Sequence, residues 1–440
     1  MFVCTHCDAQ TLKWSGRCVE CGKWGTIVDE TEAPVKATKR TSTKKPATTL
    51  DLASATNVVL SRQLTGISEL DRVLGGGLVP GSVTLLAGEP GIGKSTLVAQ
   101  LAASFGKTHT SSPSPSSERR GNAYYASGEE SEGQVRLRFE RLALDPRLVT
   151  FSNATETGSI VAAAEKMVPS VVIVDSIQTM MTDGADSFPG TPTAVRAATA
   201  ELIGYAKSSN IPVLIIGQVT KDGVVAGPKT LEHLVDTVLT LEGDSASAYR
   251  LLRASKHRFG SIDEVGVFAM TEKGMIPVEN PSAMFLKERV AGPGSVVTCV
   301  MEGNRPFLVE IQALVDKSFF PNPVRRTSGY DAGRLQMLLA ILSKRAGARV
   351  YDQDVYVNVV GGMKLSEPSA DLAVAAAVLS AIENVVFPDD TIVIGELGLG
   401  GEVRSVPFFE RRTKEAERLG FKTVLGPGKI KSVGDLRKKS

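Results

Sequence analysis

LLAGEPGIGKST, residues 85–96, decides the fold. From Gly88 to Ser95 it fits G-x-x-x-x-G-K-[ST]; an apolar run over 82–87 leads in and a helical pattern over 95–105 leads out. Strand, glycine turn and helix in that order make a phosphate cradle. Glycines let main-chain N–H groups wrap the anion, and the helix N-terminus adds its positive end. The candidate nucleotide-binding residues are Gly88, Glu89, Pro90, Gly91, Ile92, Gly93, Lys94, Ser95 and Thr96, with ATP or ADP as the ligand. Lys94 is expected to reach the β and γ oxygens, the Ser95 hydroxyl to hold Mg2+, and Thr96 to lie nearest the α-phosphate.

Outward from this loop, polar residues close other apolar runs. Asp175 ends VVIVD (171–175), where a carboxylate meets the magnesium's water shell; a plain helix cap is the alternative. Glu129 and Glu130 follow the run 122–127, and Glu129 is the expected group that orients or deprotonates the attacking water, against an ordinary solvated glutamate. Gln218 ends the run 211–217, where a carboxamide can sense the γ-phosphate or simply finish the strand. Short β-branched runs at 83–86, 123–126, 171–174 and 213–216 alternate with helical patterns such as 95–105 and 193–207, which predicts an α/β domain with a doubly wound, mostly parallel sheet.

The chain has 440 residues, more than the roughly 250–300 of a single core, so two or three domains are expected. Hydrophobic residues at 42% and charged ones at 22% suit soluble globular domains. A net charge of +2 excludes a uniformly cationic nucleic-acid binder, so any such surface needs local clusters of Lys and Arg. No signal-peptide pattern opens the sequence, and no apolar run approaches the roughly 20 residues of a bilayer span, so a cytoplasmic protein with no membrane partner is expected.

Cys4-x2-Cys7 and Cys18-x2-Cys21 have the spacing of two knuckles converging on one tetrahedral structural Zn2+. His6 is surplus to that set, and Trp14 and Trp24 are read as the packing lid of the small ribbon, with a docking surface as the alternative. Residues 29–56 are rich in Thr, Lys, Ala and Pro and read as a flexible linker, and the Ser/Pro-rich 108–122 reads as a surface insertion. Beyond 285 a second α/β unit is expected, with strands near 294–301, 305–312 and 355–360, helices near 334–349 and 370–382, and Cys299 buried within it. The expected domains are therefore 1–28, 57–284 and 285–440, with the linker 29–56.

KWSGRCVECGKWG (13–25), LLAGEPGIGKST, YYASGEES (124–131), VVIVDSIQTM (171–180), GQVTKDG (217–223), LEHLVDTVL (231–239) and SKHRFG (255–260) run in the order seen in the bacterial RadA (Sms) family, which the chain resembles over nearly its whole length. The resemblance implies a RecA-like ATPase core that acts on single-stranded and branched DNA as a homo-hexameric ring. It also implies promotion of branch migration in RecA-mediated strand exchange, with RecA recombinase as a partner of the ribbon. Lys256 and Arg258 fall on the family's KNRFG motif, His257 departing from its Asn, and in related ring motors such a pair completes a neighbour's site. Stretches 183–193 and 219–232 resemble DNA-facing loops, with Arg196, Lys221 and Lys229 as candidate phosphate contacts.

The last third resembles the proteolytic domain of Lon. Glu367-Pro368-Ser369-Ala370-Asp371 matches the segment around its serine, and alignment of GELGLGGEVRSVPFFERR (395–412) sets Glu410 where the Lon lysine would be. A serine without an adjacent base is a weak nucleophile, so a proteolytically inactive assembly and DNA-binding platform is expected, with Arg325, Arg326, Arg334, Lys344, Arg345 and Arg349 as its basic residues. The rivals are an ATP-dependent Lon-like protease acting through Ser369 and a KaiC-like signalling ATPase indifferent to DNA.

Overall fold

The computed structural model describes residues 2–29 apart from 5, 8 and 12, then 61–109, 122–183, 188–218, 231–243, 249–319 and 321–438. Most of 29–56 and 108–122, together with Lys221 and Lys229, lies outside them.

The apolar runs of the central unit become strands buried on both faces. In Val83–Gly88, Val83 and Leu85 join one hydrophobic cluster and Leu86 the other, and Val171–Asp175 and Val213–Gln218 alternate in the same way. This is why these runs are continuous rather than alternating: helices cover each side. Lys94–His109 packs Leu97, Leu101 and Phe105 on one face, while Thr157–Met167 and Pro192–Ser209 pack Ile160, Val195 and Leu202 on the other. Nine strands form the sheet in the order Gly274–Pro277, Val265–Thr271, Tyr249–His257, Thr237–Glu242, Val83–Gly88, Val213–Gln218, Val171–Asp175, Ala123–Ser127, Val149–Ser152. The six from Thr237–Glu242 onward are parallel, and the first three extend the edge in antiparallel fashion.

A second sheet of six strands is built on the hairpin Ser295–Glu302 and Arg305–Lys317. Helices Ala332–Ala346 and Asp371–Glu383 pack into its largest core, and the apolar sequence of the latter reflects burial along ten consecutive residues from Asp371 to Ser380. The first helix stops three residues short of the expected 349 because Gly347, at φ 64°, caps it in the left-handed region that glycine tolerates best. Cys299 is buried as expected, and burial pushes its thiol up to about 12.

The two units interlock. Glu69, only 1% exposed in helix Ser68–Val73, accepts from Arg305 and from the Val267 amide at 2.8 Å. Arg305 also donates to the carbonyls of Val265 (3.2 Å), Val278 (3.3 Å) and Glu279 (2.9 Å). At the hairpin tip the Asn304 amide donates to Asp263 at 2.7 Å, and a Cβ on Gly303 would stand 2.1 Å from that same carbonyl oxygen, so only glycine fits.

At the front, Phe2–Cys4, Gln10–Thr11 and Ile27–Asp29 form a small antiparallel sheet. Trp14 and Trp24 correct the packing expectation: they are 63% and 75% exposed. The interior is too small for indoles and is taken by Cys4, Cys18 and Ile27. No helix among the described residues is long and apolar enough to cross a membrane.

Candidate active site

The glycine turn sits where strand Val83–Gly88 hands over to helix Lys94–His109. A Cβ on Gly88 would lie 2.7 Å from the Leu241 carbonyl, and Gly93 has φ 115°, so neither position accepts another residue without strain. The Lys94 ammonium is buried and donates to the carbonyls of Gly88 (2.8 Å) and Glu89 (2.9 Å). Burial pushes its pKa down, while the charges of Asp175 and Glu129 act in the opposite sense.

Asp175 is buried at the end of its strand and accepts from the Tyr125 hydroxyl at 2.6 Å. Burial raises its carboxyl above the ordinary range; bonds from Tyr125 and from the Ser95 hydroxyl offset part of the rise. A serine hydroxyl touching a carboxylate, with lysine's charge beside them, is a hard oxygen donor set of the kind that suits Mg2+.

Glu129 and Gln218 complete a cluster. Glu129 Oε1 accepts from the Gln218 amide at 3.0 Å and from the Ser176 hydroxyl. Its neighbour Glu130 is turned away into an ion pair with Arg138. Pairing explains the convergence: Ser127 lies opposite Asp175, and Gly88 opposite Gln218, so all these groups stand at the carboxyl ends of adjacent parallel strands, where open α/β sheets bind ligands. Tyr125, Ser176 and Arg138 escaped the sequence reading. Tyr125 has the spacing signal of a strand, but which face meets Asp175 is set only by the pairing.

Lys256 and Arg258 are not brought to this cluster. His257 pairs with Thr237, and Thr237 with Thr84, so the motif stands at the amino ends of the parallel strands. Four residue steps along the strand separate Thr84 from Gly88, about 13 Å at 3.3 Å each. There Lys256 donates to the Glu232 carbonyl at 2.5 Å, and the half-exposed Arg258 pairs with Asp236 at 3.2 Å. Arg196 is exposed on helix Pro192–Ser209.

The four cysteine sulfurs lie within 4.8 Å of one another, with Cys4 to Cys21 at 3.7 Å and Cys7 to Cys18 at 3.5 Å. Four thiolates about 2.3 Å from a tetrahedral Zn2+ are about 3.8 Å apart, so the donor set fits structural zinc. Metal analysis of purified protein is expected to give one zinc per chain, and Cys18→Ser to lose it without lowering the melting temperature of the central unit. A melting shift of more than about 3 °C would mean that the ribbon supports the core.

Glu410 requires a correction. It is exposed on helix Phe409–Arg418, and the side chain that meets Ser369 is Arg412, fully buried, with Nη1 3.0 Å from the serine Oγ. Helical periodicity turns position 412 inward and 410 outward, which an alignment by spacing alone misjudges. Arg412 also binds Glu367 through both terminal nitrogens, at 2.7 and 2.6 Å, and the Cys299 carbonyl at 2.7 Å. Burial raises the Glu367 carboxyl, but its bonds from Arg412 and Ser369 leave it below the usual carboxylate range. A guanidinium does not take up a proton, so Ser369 has an arginine where a base would have to be. Among the basic candidates of this unit, Arg334 is tied to the buried Asp371, whereas Arg326, Lys344, Arg345 and Arg349 are exposed.

Residues 46–224 match the family model described as an AAA domain, 2–29 the rubredoxin metal binding domain, and 336–429 the subunit ChlI of Mg-chelatase. The chain is 46% identical over 430 residues to DNA repair protein RadA of Pseudomonas aeruginosa, covering 97% of this chain and 92% of that one. The RadA proteins of Aquifex aeolicus and Bacillus subtilis are each 43% identical, over 429 and 431 residues, covering 97% of this chain and 93% and 92% of theirs. With a glycine-turn α/β core, a four-cysteine ribbon and a protease-like unit in one chain, and identity of this order along nearly all of it, the chain belongs to the RadA family of DNA repair proteins.

Proposed function

We propose that this ATPase is DNA-stimulated and uses hydrolysis to move single-stranded and branched DNA, promoting branch migration of RecA-mediated strand exchange. The observation that carries the reading is the cluster of Lys94, Asp175, Glu129 and Gln218 at the carboxyl ends of neighbouring strands. Lys94 and the main-chain N–H groups of 88–96 hold the triphosphate. Ser95 and Asp175 would hold Mg2+, which would supply charge neutralisation at the phosphates. Glu129 aligns the attacking water and takes its proton, while Ser176 and Gln218 fix the carboxylate in place. Gln218, joined to the water-activating group, then reports γ-phosphate loss to the segment that follows it.

The far position of Lys256 and Arg258 supports a ring, six copies by family resemblance, in which this pair completes the neighbour's site. Replacing Arg258 with alanine is expected to leave ADP affinity within about twofold and to lower turnover about 100-fold or more. The pair it breaks joins a half-exposed guanidinium to a buried carboxylate, and Asp236 keeps its bond from the Val83 amide at 3.0 Å, so the fold is expected to survive. Near-normal turnover in this variant removes Arg258 from the reaction. Arg196 and the loop lysines Lys221 and Lys229 are the proposed DNA backbone contacts, and the ribbon, with its two exposed indoles, the proposed contact with RecA.

The deciding measurement is phosphate release without DNA, with single-stranded DNA and with branched DNA, beside a Lys94→Ala control. Several-fold stimulation by DNA is expected. Turnover equal in all three favours a signalling ATPase and removes the proposal. The protease reading is disfavoured by the buried Arg412 against Ser369.

A further inference from the structure

Gln178 lies three residues past Asp175 in the short turn Ile177–Thr179 that leaves its strand. Its carboxamide nitrogen faces the main-chain carbonyl of Gln218 at 3.4 Å, a long bond. Its carboxamide oxygen is buried and accepts from no donor among the described residues. Buried carbonyl oxygens without a donor are uncommon, and this one has room in its bonding for a donor supplied by a neighbouring side chain.

Gln218 therefore faces two ways. Its side-chain amide donates to Glu129 at 3.0 Å, and its main chain meets Gln178. Beyond Gln178, Gly190 precedes Thr191, whose hydroxyl caps helix Pro192–Ser209, the helix that carries Arg196. The turn Ile177–Thr179 that carries Gln178 packs against this cation-bearing helix, so Glu129, Gln218, Gln178 and the helix lie in one connected group.

We propose that Gln178 is a positioning residue that ties Gln218 to the start of helix Pro192–Ser209 and accepts the Gln218 amide when that amide leaves Glu129. The two acceptors, Glu129 Oε1 and Gln178 Oε1, give Gln218 two seats, and exchange between them is how loss of the γ-phosphate moves the helix. This rests on the ATPase reading above.

The test is a double-mutant cycle in the full chain: Gln178→Ala and Gln218→Ala, singly and together, read as kcat and KM for ATP with and without single-stranded DNA. Gln178→Ala is expected to lower kcat about tenfold at a KM within about threefold of wild type, and to add little in the Gln218→Ala background. Gln178→Glu keeps the volume but presents an acceptor to the Gln218 carbonyl, and is expected to lose kcat as the alanine does. A packing role alone predicts that Gln178→Glu turns over normally. Additive losses in the cycle, an unchanged kcat in Gln178→Ala, or wild-type kcat in Gln178→Glu each overturn the proposal. The cycle is read in the DNA-free reaction too, so a wild-type protein indifferent to DNA removes the proposed function while the coupling of Gln178 to Gln218 is still measured.

Discussion

Replacing Lys94 with alanine is expected to abolish ATP turnover and weaken ADP binding by about 10- to 100-fold. The Lys94 ammonium is nearly buried and held by two loop carbonyls at 2.8 and 2.9 Å, so it already stands over the cradle in a desolvated position. A charged hydrogen bond is worth about 1.5–3 kcal/mol, and each 1.4 kcal/mol is tenfold in affinity. Removing the side chain also removes a buried charge that burial disfavours, as its lowered pKa records, so the melting temperature should hardly move. A fluorescent ADP titration run beside phosphate release measures both effects. ADP affinity within twofold of wild type would mean that the glycine turn does not hold phosphate.

Glu129→Gln separates binding from chemistry. The amide keeps the shape of the carboxylate and can still meet Ser176 and Gln218, but it cannot take a proton from water. Turnover is expected to fall about 10²- to 10⁴-fold with ADP affinity within a few-fold of wild type. Glu130→Gln is the matched control. It breaks only the pair with Arg138, in which both side chains are partly exposed, and should cost little turnover. A Glu129→Gln protein with a tenth or more of normal kcat, or a Glu130→Gln protein that has lost its own, would reassign the base.

Much of the candidate site was legible because its groups stand where apolar runs end or helices begin. Lys94, Asp175 and Gln218 end strands or open helices, and a strand end is a local signal. The four cysteines were legible for a similar reason, since metal spacing is written into a short segment. What stayed hidden depends on contacts far apart in sequence. Tyr125 meets Asp175 across 50 residues, and Arg412 meets Ser369 across 43. Placing Glu410 opposite the serine failed because spacing carries no information about which side of a helix faces the core. The antiparallel edge from Tyr249 to Pro277 went unread: Tyr249–His257 alternates buried and part-exposed positions with charged residues between, and the apolar run 265–268 does not by itself say which strand it will pair with. Trp14 and Trp24 misled because large indoles usually seek an interior, and a ribbon organised around four thiols has almost none.

The guanidinium of Arg305 has a wider consequence. It belongs to the protease-like unit, yet it neutralises a carboxylate sunk in the nucleotide unit, and severing such a pair costs about 3–5 kcal/mol. A chain amputated after residue 284 is therefore not a smaller engine but one with a stranded anion under its first helix. Shared in this way, the two lobes are clasped at that seam by one guanidinium and the hairpin tip beside it, so displacing either lobe alone would first have to strip Arg305 from a carboxylate that has no water to turn to.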